Sequence, residues 1–172
     1  DDVPARSSIT VWDEDKDQWR SWVTRSASKL MEGETRSIVY DEPLRDFLAT
    51  FPAHAEILQA WKRGEPHHTL VLTGRERSDF FRLFQKRFGR TDAWYEEVIS
   101  VAPDPCVMHQ VFYSQGYIEI SPEGPLDKEG LGVVKRFADV FDIAYRRYGE
   151  LQRSEAARVQ LHERNRDLSQ AN

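Results

Sequence analysis

The chain has 172 residues, 40% hydrophobic and 12% aromatic, enough for one globular body with a real core and too apolar for a disordered segment. A formal net charge of −5 and a pI near 5.6 argue against a nucleic-acid surface over the whole molecule. No run approaches the ~20 apolar residues that span a bilayer, the start DDVPARSSITVW lacks a signal-peptide pattern, and the single cysteine, Cys106, excludes an intramolecular disulfide and a Cys-based zinc knuckle. A reducing, cytoplasmic setting is the expectation.

SITVWDEDKDQWRSWVTRS reads as a hairpin, with Ile9 and Val11 alternating with Ser8, Thr10 and Trp12 before an acidic loop. Beyond that loop Trp19, Ser21 and Val23 alternate with Arg20, Trp22 and Thr24. A polar stretch with Gly33 leads to RSIVYDEP, a third strand stopped by Pro43. LRDFLATF is a short helix with Leu44, Phe47, Leu48 and Phe51 on one face. Pro52 ends that pattern and AHAEILQAWKRG begins another helix, with Ile57, Leu58 and Trp61 as its apolar stripe and Gly64 as its C-terminal cap.

HHTLVLTG is the next strand, and RSDFFRLFQKRFG is an amphipathic helix carrying Phe80, Phe81, Leu83, Phe84 and Phe88 up to Gly89. TDAWYEEVISVA is helical or irregular. CVMHQVFYSQGYIEISPEG holds two strands about a Ser114-Gln115-Gly116 turn, ended by Gly124 and Pro125. Alternation sends Val107, His109 and Val111 one way and Met108, Gln110 and Phe112 the other. Asp127 is placed to cap a last, long helix, in which Phe137, Val140, Phe141, Ala144 and Tyr148 form an expected buried face. Hairpins at both ends of such a chain predict an α+β fold, a mostly antiparallel sheet with helices packed against it.

At VFYSQGYIEIS followed by PLDKEGLGVVKRFADVFDIAYRRYGELQRSEAA, the chain resembles the GAF-like sensor domains that precede helical connectors in bacterial histidine kinases, nucleotide cyclases and related regulators. The likeness is strongest over the last third of the chain; upstream it rests on element order and on AWKRGEP before a strand. The resemblance implies a central sheet with helices on both sides, the first and last helices together on one of them. It also implies dimerisation through those helices, a leading helix ahead of Ser8 and an output domain in cis. The implied domains are a sensory domain over 1–148 and the start of a coiled-coil signalling helix over 149–172.

Beyond Gly149 a heptad seam threads Leu151, Ser154, Arg158, Leu161, Asn165 and Leu168 at alternating steps of three and four. Half of these positions are polar. Two readings stand: a parallel dimeric signalling helix, with Asn165 fixing register, and a solvated helical tail. Trp61, Tyr95, His109, Tyr113 and Tyr117 join aromatic or imidazole bodies to polar tips, on elements that could line a space between sheet and helices. They are candidates for a pocket taking a planar or polar small molecule, against ordinary core packing as the alternative.

Other patterns argue for less. DEDKD opens like a calcium loop, but Gln18 stands where the sharp turn needs glycine and Thr24 where a bidentate carboxylate is needed. His67 and His68 are adjacent on a strand, and Cys106 and His109 lie three apart, so each pair faces opposite sides. His162-Glu163 lacks the proline that follows a phosphoacceptor histidine box. No P-loop, nucleophile elbow or His-Glu-x-x-His pair is present. The expectation is a regulatory input module without catalytic residues, metal or predicted cofactor, and with an unidentified ligand. A ligand-free dimerisation or scaffolding module is the alternative, and a small stand-alone enzyme comes third.

Overall fold

A computed structural model describes residues 6–25, 36–122 and 126–170, with side chains described there except at 6, 25, 36–38, 165 and 167–170. The stretch around Gly33 and the hairpin end at Gly124 and Pro125 lie outside the described residues. The elements run β1 (Arg6–Asp13), β2 (Gln18–Arg25), β3 (Arg36–Pro43), α1 (Leu44–Thr50), α2 (Pro52–Lys62), β4 (His67–Leu72), α3 (Gly74–Arg87), α4 (Asp92–Val101), β5 (Cys106–Tyr113), β6 (Gly116–Ser121) and α5 (Lys128–Gln170). The fold is α+β: a six-stranded sheet in the order β3-β2-β1-β6-β5-β4, antiparallel at every joint. It consists of two three-stranded meanders, β1-β2-β3 and β4-β5-β6, joined at the centre by β1 against β6.

That central joint depends on a glycine. A Cβ on Gly116 would sit 1.9 Å from the Thr10 carbonyl oxygen, so only a residue without a side chain lets the start of β6 lie against β1. The turn before it is Ser114-Gln115, whose Gln115 carbonyl accepts from Trp12 N–H at 3.0 Å. The β1–β2 loop is held by its own acids. Asp13 pairs with Lys16 at 2.5 Å, and Asp17 accepts the Arg45 N–H at 3.0 Å, tying the loop to the start of α1.

Strand alternation divides the sheet into two faces. On one, Trp12, Trp19, Val23, Tyr40, Leu70, Leu72, Cys106, Met108, Phe112 and Tyr117 join buried residues of α1 to α4 in a single core. Its centre is aromatic: Trp19 stacks on Phe47 at 3.8 Å between ring centroids, and Phe84 meets Phe88 at 4.5 Å. Such pairs contribute roughly 0.5–1.5 kcal/mol each beyond the area they bury. The segment read as helical or irregular is helix α4, started by Thr91, whose Oγ1 accepts the Trp94 N–H at 3.2 Å. Gly64, at φ +73°, ends α2 as the sequence predicts. The opposite face buries Val11, Val111 and Ile118 apart from that core.

The chain divides by internal contacts into Asp1–Ala138 and Asp139–Asn172. Asp127 caps α5 as expected, its Oδ1 accepting the Gly130 N–H at 2.7 Å. The buried face expected on this helix is a correction. Phe137, Val140 and Tyr148 are 68%, 67% and 58% exposed and Ala144 is exposed, while Val134 and Ala138 are the buried residues. A helical period fixes which residues share a stripe, not which stripe is covered, and this helix carries two. In the second unit Phe141 packs on Tyr145 of its own helix at 5.7 Å. Among the described residues no helix is long and apolar enough to cross a membrane.

Candidate functional site

The core face of the sheet carries a stripe of buried polar residues among its aromatic ones. Ser8, Thr10, Ser21, Gln110 and Glu119 are all buried there, on strands β1, β2, β5 and β6. Register puts them side by side: Ser21 opposite Thr10, Ser8 opposite Glu119, and Glu119 opposite Gln110. The Thr10 and Ser21 hydroxyls share a hydrogen bond of 2.9 Å. The Gln110 amide donates to a Glu119 carboxylate oxygen at 3.0 Å, while among the described residues the Gln110 Oε1 accepts no hydrogen bond.

Above this stripe the packing leaves a small cavity of about 10 Å³ for a water-sized centre. Its floor is Ser8, Trp19, Ser21, Val23, Tyr117 and Glu119; its roof is Phe47 of α1, His54 of α2, and Phe80 and Phe84 of α3. His54 is buried, stacked on Phe80 at 6.0 Å and edge-on to Phe47 at 4.7 Å. Trp19 is 3% exposed, and its indole N–H has no hydrogen-bond partner among the described residues. The arrangement is one carboxylate, two hydroxyls and the His54 imidazole among aromatic walls.

Of the pocket candidates named from the sequence, Tyr117 lines this cavity. Trp61 is one layer out: it meets Trp12 edge-on at 5.5 Å and donates its indole N–H to the Tyr113 carbonyl at 2.8 Å. Tyr95 lies on α4, where the Arg82 guanidinium covers its ring at 3.4 Å. His109 and Tyr113 occupy the alternate positions of β5. Tyr113 donates its hydroxyl to the Thr10 carbonyl at 2.6 Å, and His109 Nδ1 lies 3.2 Å from Thr69 Oγ1. Burial, and then the nearby His67, hold the His109 imidazole below the ordinary histidine range. The five are therefore not brought together in one pocket.

The residues that do line it with Tyr117 include Ser8, Ser21, His54 and Glu119, which the sequence reading did not single out. Their signal is present: Ser8, Thr10 and Trp12 share one face by alternation, as do Tyr117 and Glu119. On the long helix, Leu151 and Leu161 are 60% and 61% exposed, and Ser154 and Arg158 are exposed too. Asn165 and Leu168 belong to α5, but their side chains lie outside the described ones. Among the described residues no three His, Cys, Asp or Glu side chains gather as a metal-ligand group. Comparison with models of protein families, with curated proteins and with solved structures finds no match.

Proposed function

We propose that this chain is a GAF-like regulatory input module of a bacterial, cytoplasmic signal-transduction protein. It has no catalytic chemistry of its own and acts through a parallel homodimer of α5 on an output domain in cis. The observation that carries the reading is the apolar surface left open on α5. Val140, Ile143, Tyr148, Leu151 and Leu161 are each about half exposed or more, over a helix far longer than its buried residues require. Helices with apolar residues at steps of three and four meet this cost by pairing. The same steps run back from Leu151 through Arg147, Ala144 and Val140 to Phe137 and Val133.

Two features support an input role for the body. The cavity is lined by β6 through Tyr117 and Glu119, and residues 122–127 alone separate β6 from α5. A change in the occupancy of the cavity thus lies one connection away from the helix that would carry the output. The GAF-like reading is supported by α1 to α4 sharing one face of the sheet and by the burial of Val134 and Ala138 at the start of α5. A ligand-free relay or scaffold is the second reading, favoured by the small size of the cavity, about 10 Å³.

Light-scattering mass across a range of concentrations tests the function. The reading expects a dimer that Val140→Asp with Leu151→Asp converts to a monomer that still unfolds cooperatively. A chain that stays monomeric at high concentration removes the basis of the mechanism.

A further inference from the structure

Glu119 is 4% exposed, and among the described residues its carboxylate has one hydrogen-bond partner, the neutral Gln110 amide at 3.0 Å. No cationic side chain among the described residues pairs with it. A buried carboxylate with one neutral partner keeps acceptor capacity open to a donor in the cavity. Beside it stand two hydroxyls, those of Ser8 and Ser21, and the rings of Trp19, Tyr117 and Phe80 close the space together with the His54 imidazole. The gap of about 10 Å³ is that of a single water-sized occupant.

We propose that this cavity is a binding site for a water-sized N–H cation, either the ammonium ion or the –NH₃⁺ end of a small amine. Glu119 supplies the counter-charge, Ser8 and Ser21 accept N–H bonds, and the aromatic walls offer π faces to the remaining protons. Other occupants fit the chemistry less well. A hard metal cation such as calcium takes roughly six to eight oxygen ligands, and a wall of ring carbons cannot supply them. A quaternary ammonium has no N–H donors and exceeds the space. Water matches the size but leaves the carboxylate without a counter-charge. This inference deepens the input-module reading and rests on it for what binding would report; the binding itself is measured separately.

The test titrates the whole chain near neutral pH with ¹⁵N-ammonium chloride and, in a second arm, with methylamine. Sodium chloride and tetramethylammonium chloride at equal ionic strength are the controls. The expected results are a slowly exchanging proton signal from bound ¹⁵NH₄⁺ and an unfolding midpoint that rises saturably with ammonium or methylamine but not with either control. Stronger binding of methylamine assigns the –NH₃⁺ end of an amine, and stronger binding of ammonium assigns the free ion. Glu119→Gln weakens binding by at least about tenfold, as loss of a charged acceptor requires. Ser8→Ala, which keeps the carboxylate, weakens it as well and serves if Glu119→Gln does not fold. The proposal is overturned if neither probe gives a bound signal or a saturable shift beyond the controls, or if binding survives the folded variants unchanged. Binding that leaves the light-scattering mass unaltered keeps this site and counts against the relay.

Discussion

Across the joint of β5 and β6, the Gln110 amide donates to the Glu119 carboxylate at 3.0 Å, with both side chains buried on the core face. Among the described residues this is the one hydrogen bond given to the Glu119 carboxylate. Gln110→Ala removes it and leaves the carboxylate without a partner, at an expected cost of about 1–3 kcal/mol in urea denaturation. Replacing both residues by leucine should cost less than the sum of the single changes, because no buried polar group is then stranded. Strict additivity in that cycle would show that the two side chains do not act together.

Gly116→Ala tests the central seam of the sheet. The added carbon would meet the Thr10 carbonyl oxygen at 1.9 Å, and backbone on both strands must shift to relieve it. The expected loss is at least about 2 kcal/mol, at the upper part of what overpacking costs. An unchanged denaturation midpoint would mean that β1 and β6 do not meet in this register.

Trp61→Phe separates packing from hydrogen bonding. The ring still reaches Trp12, but the 2.8 Å bond to the Tyr113 carbonyl is lost. A destabilisation of about 0.5–1.5 kcal/mol is expected, measured by denaturant titration. Loss of cooperative unfolding instead would make Trp61 a core-defining residue.

His109 gives the body a pH dependence with a definite sign. Its imidazole, held below the usual range first by burial and then by His67, protonates later than the same residue in the unfolded chain. Acid therefore favours the unfolded state. The stability linked to this group is whole above about pH 6.5 and declines as pH falls, until the folded-state imidazole itself takes up a proton. Thermal melts from neutral to mildly acidic pH should slope downward, and His109→Gln should flatten that slope. An identical slope in the variant assigns the effect to other groups.

The order of elements was legible because alternation and helical spacing are local properties, and Gly64, Asp127 and the Ser114-Gln115 turn mark their own ends. Which face of each element points inward was less so. In β1 both faces carry apolar residues, Ile9 and Val11 on one, Trp12 on the other, so the burial of Ser8 and Thr10 became visible only once β6 and β2 stood beside them. The same ambiguity hid which stripe of α5 is covered. Trp61, His109 and Tyr117 share a chemistry of ring and polar tip, but strand parity and layer separate them, and both depend on register.

The central claim is a parallel pair of α5 helices, and a cysteine at the seam tests it most directly. In a parallel, in-register pair Leu161 faces its own counterpart, whereas Glu163 points outward; both are exposed in the single chain, and the native Cys106 is buried. Leu161→Cys should form a disulfide-linked dimer under mild oxidation in dilute protein, and Glu163→Cys should not. No linkage at Leu161→Cys, or equal linkage at both positions, would contradict the parallel helix pair and the function built on it.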